Sequence, residues 1–148
     1  PDGGTEGRAC VYAGGRVVPL PGRMLRGSRA VDLNNKGQVV GWYTKPGAPF
    51  VQGFLHQRGV NTDLGPWLPE SINGSGTIVG NRPVKGSTRI PFVRTGGRVY
   101  ELRSVVHNLG DFVPNYVKEI NEAGAIVGDG YYKGKPNQGR GFILHPAR

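Results

Sequence analysis

The sequence predicts an all-β fold: a small β-propeller-like array of about three four-stranded blades plus one extra strand. Three observations lead there. Ten residues recur almost unchanged as "DLNNKGQVVG" (32–41), "SINGSGTIVG" (71–80) and "EINEAGAIVG" (119–128). A second pattern alternates with them: "ACVYAGGRVVPL" (9–20), "GFLHQRGVNTDL" (53–64), "PFVRTGGRVYEL" (91–102) and a shortened "GFILHPAR" (141–148). No apolar stripe has a helical period, and only 102–112 could hold a helical turn.

Each ten-residue segment reads as a hairpin. In "NNKG", "NGSG" and "NEAG" an Asn opens a four-residue turn and a Gly closes it, the preferences of a type I turn followed by a left-handed residue. The flanks are short and rich in β-branched residues. The alternating segments are hairpins around a Gly turn, with Phe (or Cys10) near the start and Leu20, Leu64 or Leu102 at the end. Two hairpins make a unit of four strands. The turn asparagines, Asn34, Asn73 and Asn121, are 39 and 48 residues apart, the period of propeller blades. The chain thus reads as a single repeat domain over 1–148, with an N-terminal hairpin at 9–20 and units at about 29–64, 69–102 and 116–146. Such units must stack to cover their faces. Thirteen strands make three blades with one strand over. Either the ring is very small or chains combine, the N-terminal hairpin completing the last blade within one chain or between chains. A homo-oligomer is the expectation.

Composition narrows the function classes. There are 26 Gly and 12 Pro in 148 residues, read as turn residues because they recur at fixed offsets from aliphatic pairs. The one cysteine, Cys10, allows no intrachain disulfide, and in a core aromatic slot it reads as inert. No Cys/His cluster has zinc spacing, and neither a metal nor another cofactor is expected. No apolar run approaches the length of a membrane span. The chain starts at Pro1 without a signal-like segment, so it reads as a processed chain or an excised domain, with the compartment open. The formal charge of +9 points to an anionic partner.

Alternating hairpins send the tight turns to one pole and the connectors to the other. The connectors 21–29, 42–51, 65–70, 81–90, 103–118 and 129–140 contain Arg23, Arg26, Arg29, Lys45, Arg82, Lys85, Arg89, Arg103, Lys118, Lys133, Lys135 and Arg140, against Glu70, Asp111 and Asp129. They also carry Trp42, Tyr43, Phe50, Trp67, Phe112, Tyr116, Tyr131 and Tyr132. Basic residues among aromatics suit an acidic glycan or a nucleic acid. The leading expectation is a non-catalytic binding module whose ligand residues are Trp42, Tyr43, Trp67, Asn81, Arg82, Asp129, Tyr131, Tyr132 and Lys133. Trp42, Asn81 and Asp129 directly follow the second glycine of each motif and are expected to line a central mouth. The competing reading for the aromatics is packing beneath their own loops.

Catalytic chemistry has a weaker basis. His56 shares its hairpin place with Tyr12, Arg94 and Leu144, which marks a variable strand site. In "RSVVHNLGDF", His107 and Asp111 stand four apart beside Arg103, the residues an enzyme on this scaffold would use for acid–base work. No nucleophile, glycosidase-type carboxylate pair or phosphate-cradling loop accompanies them. A structural, self-assembling repeat protein is the third class.

The combination aliphatic-N-x-x-G-x-I/V-V-G, then G-F-L-x-x-x-G and a closing D-L, resembles the extracellular HAF-type repeat. "DLNNKGQVVG", "GFLHQRGVNTDLG" and "EINEAGAIVG" match it best, and the resemblance covers about 9–146. It implies a β-propeller-like fold, no common activity, and an extracellular location. Cys10 in place of Phe, Gly53 and Pro91 in place of Ala, and the shortened last unit depart from the pattern.

Overall fold

A computed structural model describes residues 7–86 and 88–147. Residues 1–6, 87 and 148 of the predicted 1–148 domain, and the Arg23 side chain, lie outside the described residues. Among the described residues the chain is all-β, with thirteen strands in four antiparallel sheets. A hairpin comes first, β1 (Cys10–Ala13) and β2 (Arg16–Pro19), followed by a 3-10 turn at Arg23–Leu25. Sheet 1 is β3 (Ser28–Leu33), β4 (Val39–Tyr43), β5 (Gln52–Gln57) and β6 (Val60–Gly65), in that order. Sheet 2 is β7 (Leu68–Ile72), β8 (Ile78–Pro83), β9 (Arg89–Thr95) and β10 (Arg98–Glu101). One helical turn, α1 (Leu102–Val105), leads to sheet 3: β11 (Phe112–Ile120), β12 (Ile126–Tyr132) and β13 (Arg140–Leu144). The helical turn falls in the stretch that could hold one; the 3-10 turn at Arg23–Leu25 was not legible.

The motif explains each hairpin. Gly37, Gly76 and Gly124 have φ of 74°, 84° and 84°, the left-handed region that favours glycine. Each donates its N–H to the carbonyl of the turn Asn at 3.0 Å. The Asn Oδ1 bends back onto its own turn, accepting from the Gln38, Thr77 or Ala125 amide at 3.1, 3.0 and 2.8 Å. The second motif glycines, Gly41, Gly80 and Gly128, sit where the first strand of each sheet is bulged. A methyl group there would overlap the carbonyl of Arg29, Leu68 or Tyr116 and the ring of Phe54, Trp67 or Phe142.

The sheets stack in sequence order, and a hydrophobic layer fills each junction. Ala9, Leu20 and Leu25 meet Val39, Tyr43 and Phe54 between the hairpin and sheet 1. Val40, Leu55, Trp67, Ile72 and Ile78 fill the next junction. Val79, Val93, Leu102, Val117, Ile120 and Ile126 fill the third. The first strand of each sheet does the covering: β7 lies across β3, β4 and β5, and β11 across β7, β8 and β9. The two motif aliphatics divide the work. Val39, Ile78 and Ile126 face the preceding sheet, while Val40 and Val79 face the following one. No sheet closes on itself, and β1–β2 is hydrogen-bonded to no strand of sheet 3. The hairpin therefore does not complete the last unit within the chain. It is tied to sheet 1 instead, where the buried Ser28 hydroxyl accepts from the Ala9 amide and donates to the Leu25 carbonyl.

Candidate functional site

The stacking is in register at the turn pole. Asn34 Nδ2 donates to the Asn73 carbonyl at 2.9 Å, and Asn73 Nδ2 to the Asn121 carbonyl at 3.2 Å. Glu122 accepts from the Gly74 amide across the same junction. This relay aligns the tight turns of three sheets and leaves the inter-hairpin connectors at the opposite pole, except that the middle of 102–111 returns to the turn pole.

At that connector pole three arginine side chains sit over aromatic rings. The Arg29 guanidinium is 5.7 Å from the Trp42 ring centroid, Arg82 is 5.3 Å from Phe92, and Arg89 is 5.1 Å from Tyr116. At these distances each ring face attracts the guanidinium charge, and an arginine so placed can still donate hydrogen bonds to a ligand. Arg103 and Tyr131 join Arg89 around a small cleft of ≈ 130 Å³ with Pro91 and Pro114 as walls. Among the described residues one ion pair forms, Lys45 Nζ to Asp63 at 2.8 Å, so no other connector cation with a described side chain is paired with a carboxylate. Burial alone would raise the Asp63 carboxyl. Hydrogen bonds from Lys45 and the Gly65 amide, with the Tyr43 phenol nearby, outweigh it and hold Asp63 below the ordinary carboxylate range.

The predicted ligand residues separate into two groups. Tyr43, Trp67 and Asn81 are buried. Tyr43 packs between the N-terminal hairpin and sheet 1, and burial, then its contact with Asp63, pushes its phenol up to about 12. Trp67 fills the junction of sheets 1 and 2 and donates its indole N–H to the Leu64 carbonyl at 2.7 Å. Asn81 bonds both backbone groups of Val117, at 2.8 and 2.9 Å, and so acts as a clamp between sheets 2 and 3 rather than lining a mouth. The other six remain accessible: Trp42 beneath Arg29, Arg82 over Phe92, exposed Asp129, Tyr131 in the cleft, Tyr132 edge-on to Phe112 at 5.4 Å, and exposed Lys133. Lys118 lies inside β11 near its turn end, not in a connector.

The residues suggested for catalysis are not brought together. His107 lines a groove of ≈ 780 Å³ at the turn pole, between sheets 2 and 3, together with His145, Glu122 and Asn108. Arg103 lines the cleft at the connector pole. Asp111 lines neither, and its carbonyl accepts from the Lys133 amide at 3.0 Å. His56 is bonded through Nδ1 to Asn61 at 2.6 Å across the β5–β6 pair, a strand site as expected. Among the described residues no group of three or more His, Cys, Asp or Glu could hold a metal ion, and no helix is long and apolar enough to cross a membrane.

A scan of family models and searches of curated proteins and solved structures find no match.

The arginine–aromatic pairs were only partly legible. Arg29 and Trp42 are direct cross-strand partners, and Arg82 stands diagonally from Phe92 because Gly80 pairs with Phe92. Strand register could have found both. Arg89 and Tyr116 belong to different sheets, and no local pattern joins them.

Proposed function

We propose that the protein is a non-catalytic binding module that holds an anionic polymer, an acidic glycan or a nucleic acid, on its connector pole. The observation that carries this reading is the set of three arginines held over aromatic rings, none of them paired with a carboxylate among the described residues. The stacked sheets serve as blades of an open propeller-like scaffold of the HAF-repeat kind, and the scaffold sets the spacing of the cations. Retention on immobilised heparin tests the proposal. The chain should elute well above a neutral control, with affinity falling linearly against the logarithm of salt concentration. Alanine at Arg82 and Arg89 together should cut the salt slope by roughly two, while Arg94→Ala, outside the connectors, leaves it nearly unchanged. Elution of the parent chain with the neutral control sinks the reading.

A second reading, self-association through the end sheets, is favoured by apolar side chains left uncovered at both ends of the stack. Light scattering at micromolar concentration decides it, and a strict monomer removes it.

A further inference from the structure

The two inner junctions are built from the same motif positions, and the same positions stand open at the ends. Val40 and Val79, the second aliphatics, are fully buried beneath the next sheet, whereas Val127 is 38% exposed. Asn34 and Asn73 each donate to the next turn, whereas Asn121 Nδ2 has no acceptor among the described residues. The other end shows the converse. Ile72 and Ile120, just before the turn Asn, are each 5% exposed where they cover the preceding sheet, but Leu33 in that place is 61% exposed.

The hairpin β1–β2 is half of such a unit. By sequence it corresponds to the third and fourth strands of a unit, and its Val11 packs on the layer around Phe54, as Leu55 and Phe92 share the next layer. Strands one and two of that unit are lacking in the described chain, which leaves Leu33 bare. The opposite hairpin side, with Tyr12 76% and Val17 69% exposed, has no sheet behind it.

Resting on the assembly reading, we propose that a second copy supplies strands one and two of that unit: β11–β12 of one chain and β1–β2 of the next form one four-stranded unit between two chains. Val127 then covers Leu33, Asn121 Nδ2 reaches the Asn34 carbonyl, and Tyr12 and Val17 pack against sheet 2 of the first chain. The strands β1 and β13 correspond to the same third place. Each is an edge strand with one partner, and the one that yields is β13, because β1 enters with β2 as a hairpin and fills the third and fourth places together. The contact is head-to-tail, so it propagates into a ring or an open filament.

Complementation tests this with the full chain. Leu33→Asp damages one end and Val127→Asp the other, both at exposed sites that leave the fold intact. Each variant alone should be monomeric by light scattering. An equimolar mixture should form a heterodimer and stop there. In the parent oligomer, hydrogen exchange should show residues 10–13 gaining protection and 140–144 losing it. Oligomers that form in either single variant, a mixture that stays monomeric, or 140–144 still protected in the oligomer overturn the proposal. A parent chain that is monomeric throughout overturns the assembly reading itself.

Discussion

Single residues in this chain are explained best where one side chain serves two sheets. The turn Asn shows how much of this a sequence reveals. Its role in the N-x-x-G turn was legible, because Oδ1 satisfies amides only a few residues away. Its second role, the Nδ2 bond to the next turn 39 or 48 residues on, was not, since local propensity holds no information on inter-sheet register. Tyr43 and Trp67 mislead for a related reason: a large amphipathic ring beside a connector suits a ligand or a core equally well, and burial decides. Tyr43 also carries a prediction. Its phenol is raised from 10.0 to about 12 in the fold, first by burial and then by Asp63. The fold thus favours the neutral phenol. That contribution is complete below pH 10 and is lost as pH rises from 10 toward 12. Tyr43→Phe should be less stable than the parent by about 1 kcal/mol at pH 8, from the lost polar contact of the hydroxyl with Asp63. The gap should shrink by pH 11, where only the parent has a residue 43 that can ionise. Urea midpoints at the two pH values check this, and a gap of constant size refutes it.

At the scale of the element, the hairpins were legible and their connections were not. Every N-x-x-G segment became a β-hairpin, because turn chemistry and β-branched flanks point the same way. The connector 102–111 gave no such consistency. Its start is buried at Leu102 beneath sheets 2 and 3, and its middle carries His107 to the turn pole, away from Asp111. The second motif glycine makes the strongest prediction here. Gly80 has the Leu68 carbonyl and the Trp67 indole against it, and the close backbone neighbour cannot move without breaking the bulge. Gly80→Ala should cost about 3 kcal/mol through overpacking, lowering Tm by several degrees for a chain of this size. Gly86→Ala is a useful contrast: it has open space around it but φ of 75°, so only backbone strain of about 1 kcal/mol opposes it. Equal losses in the two variants would remove the packing role assigned to the motif glycine.

For the whole molecule, the consequence of stacking is that stability is divided among junctions. Each sheet packs mainly against its neighbours, so unfolding is governed by local sheet stability plus the contact to the next sheet. The three junctions are unequal. Between sheets 2 and 3, Asn81 replaces a strand partner for Val117, bonding its N–H and its C=O with one buried amide. The corresponding place in sheet 1 is Trp42, under Arg29, where no such clamp exists. Asn81→Leu keeps the bulk but strips Val117 of both partners and should weaken that junction by about 2–4 kcal/mol. Because the loss falls at one interface, it should not spread evenly. Amides of β11 and β12 should exchange at a lower free energy than those of β4 and β5, and the urea transition should broaden or divide as sheet 3 separates first. The connector-pole arginines predict a coupled effect, since Arg89 belongs to sheet 2 and Tyr116 to sheet 3. An anionic polymer bridging the two should restore protection to β11 in the variant. Uniform loss of protection across all three sheets would mean that the stack unfolds as one unit, and the division of stability by junction would then be untenable.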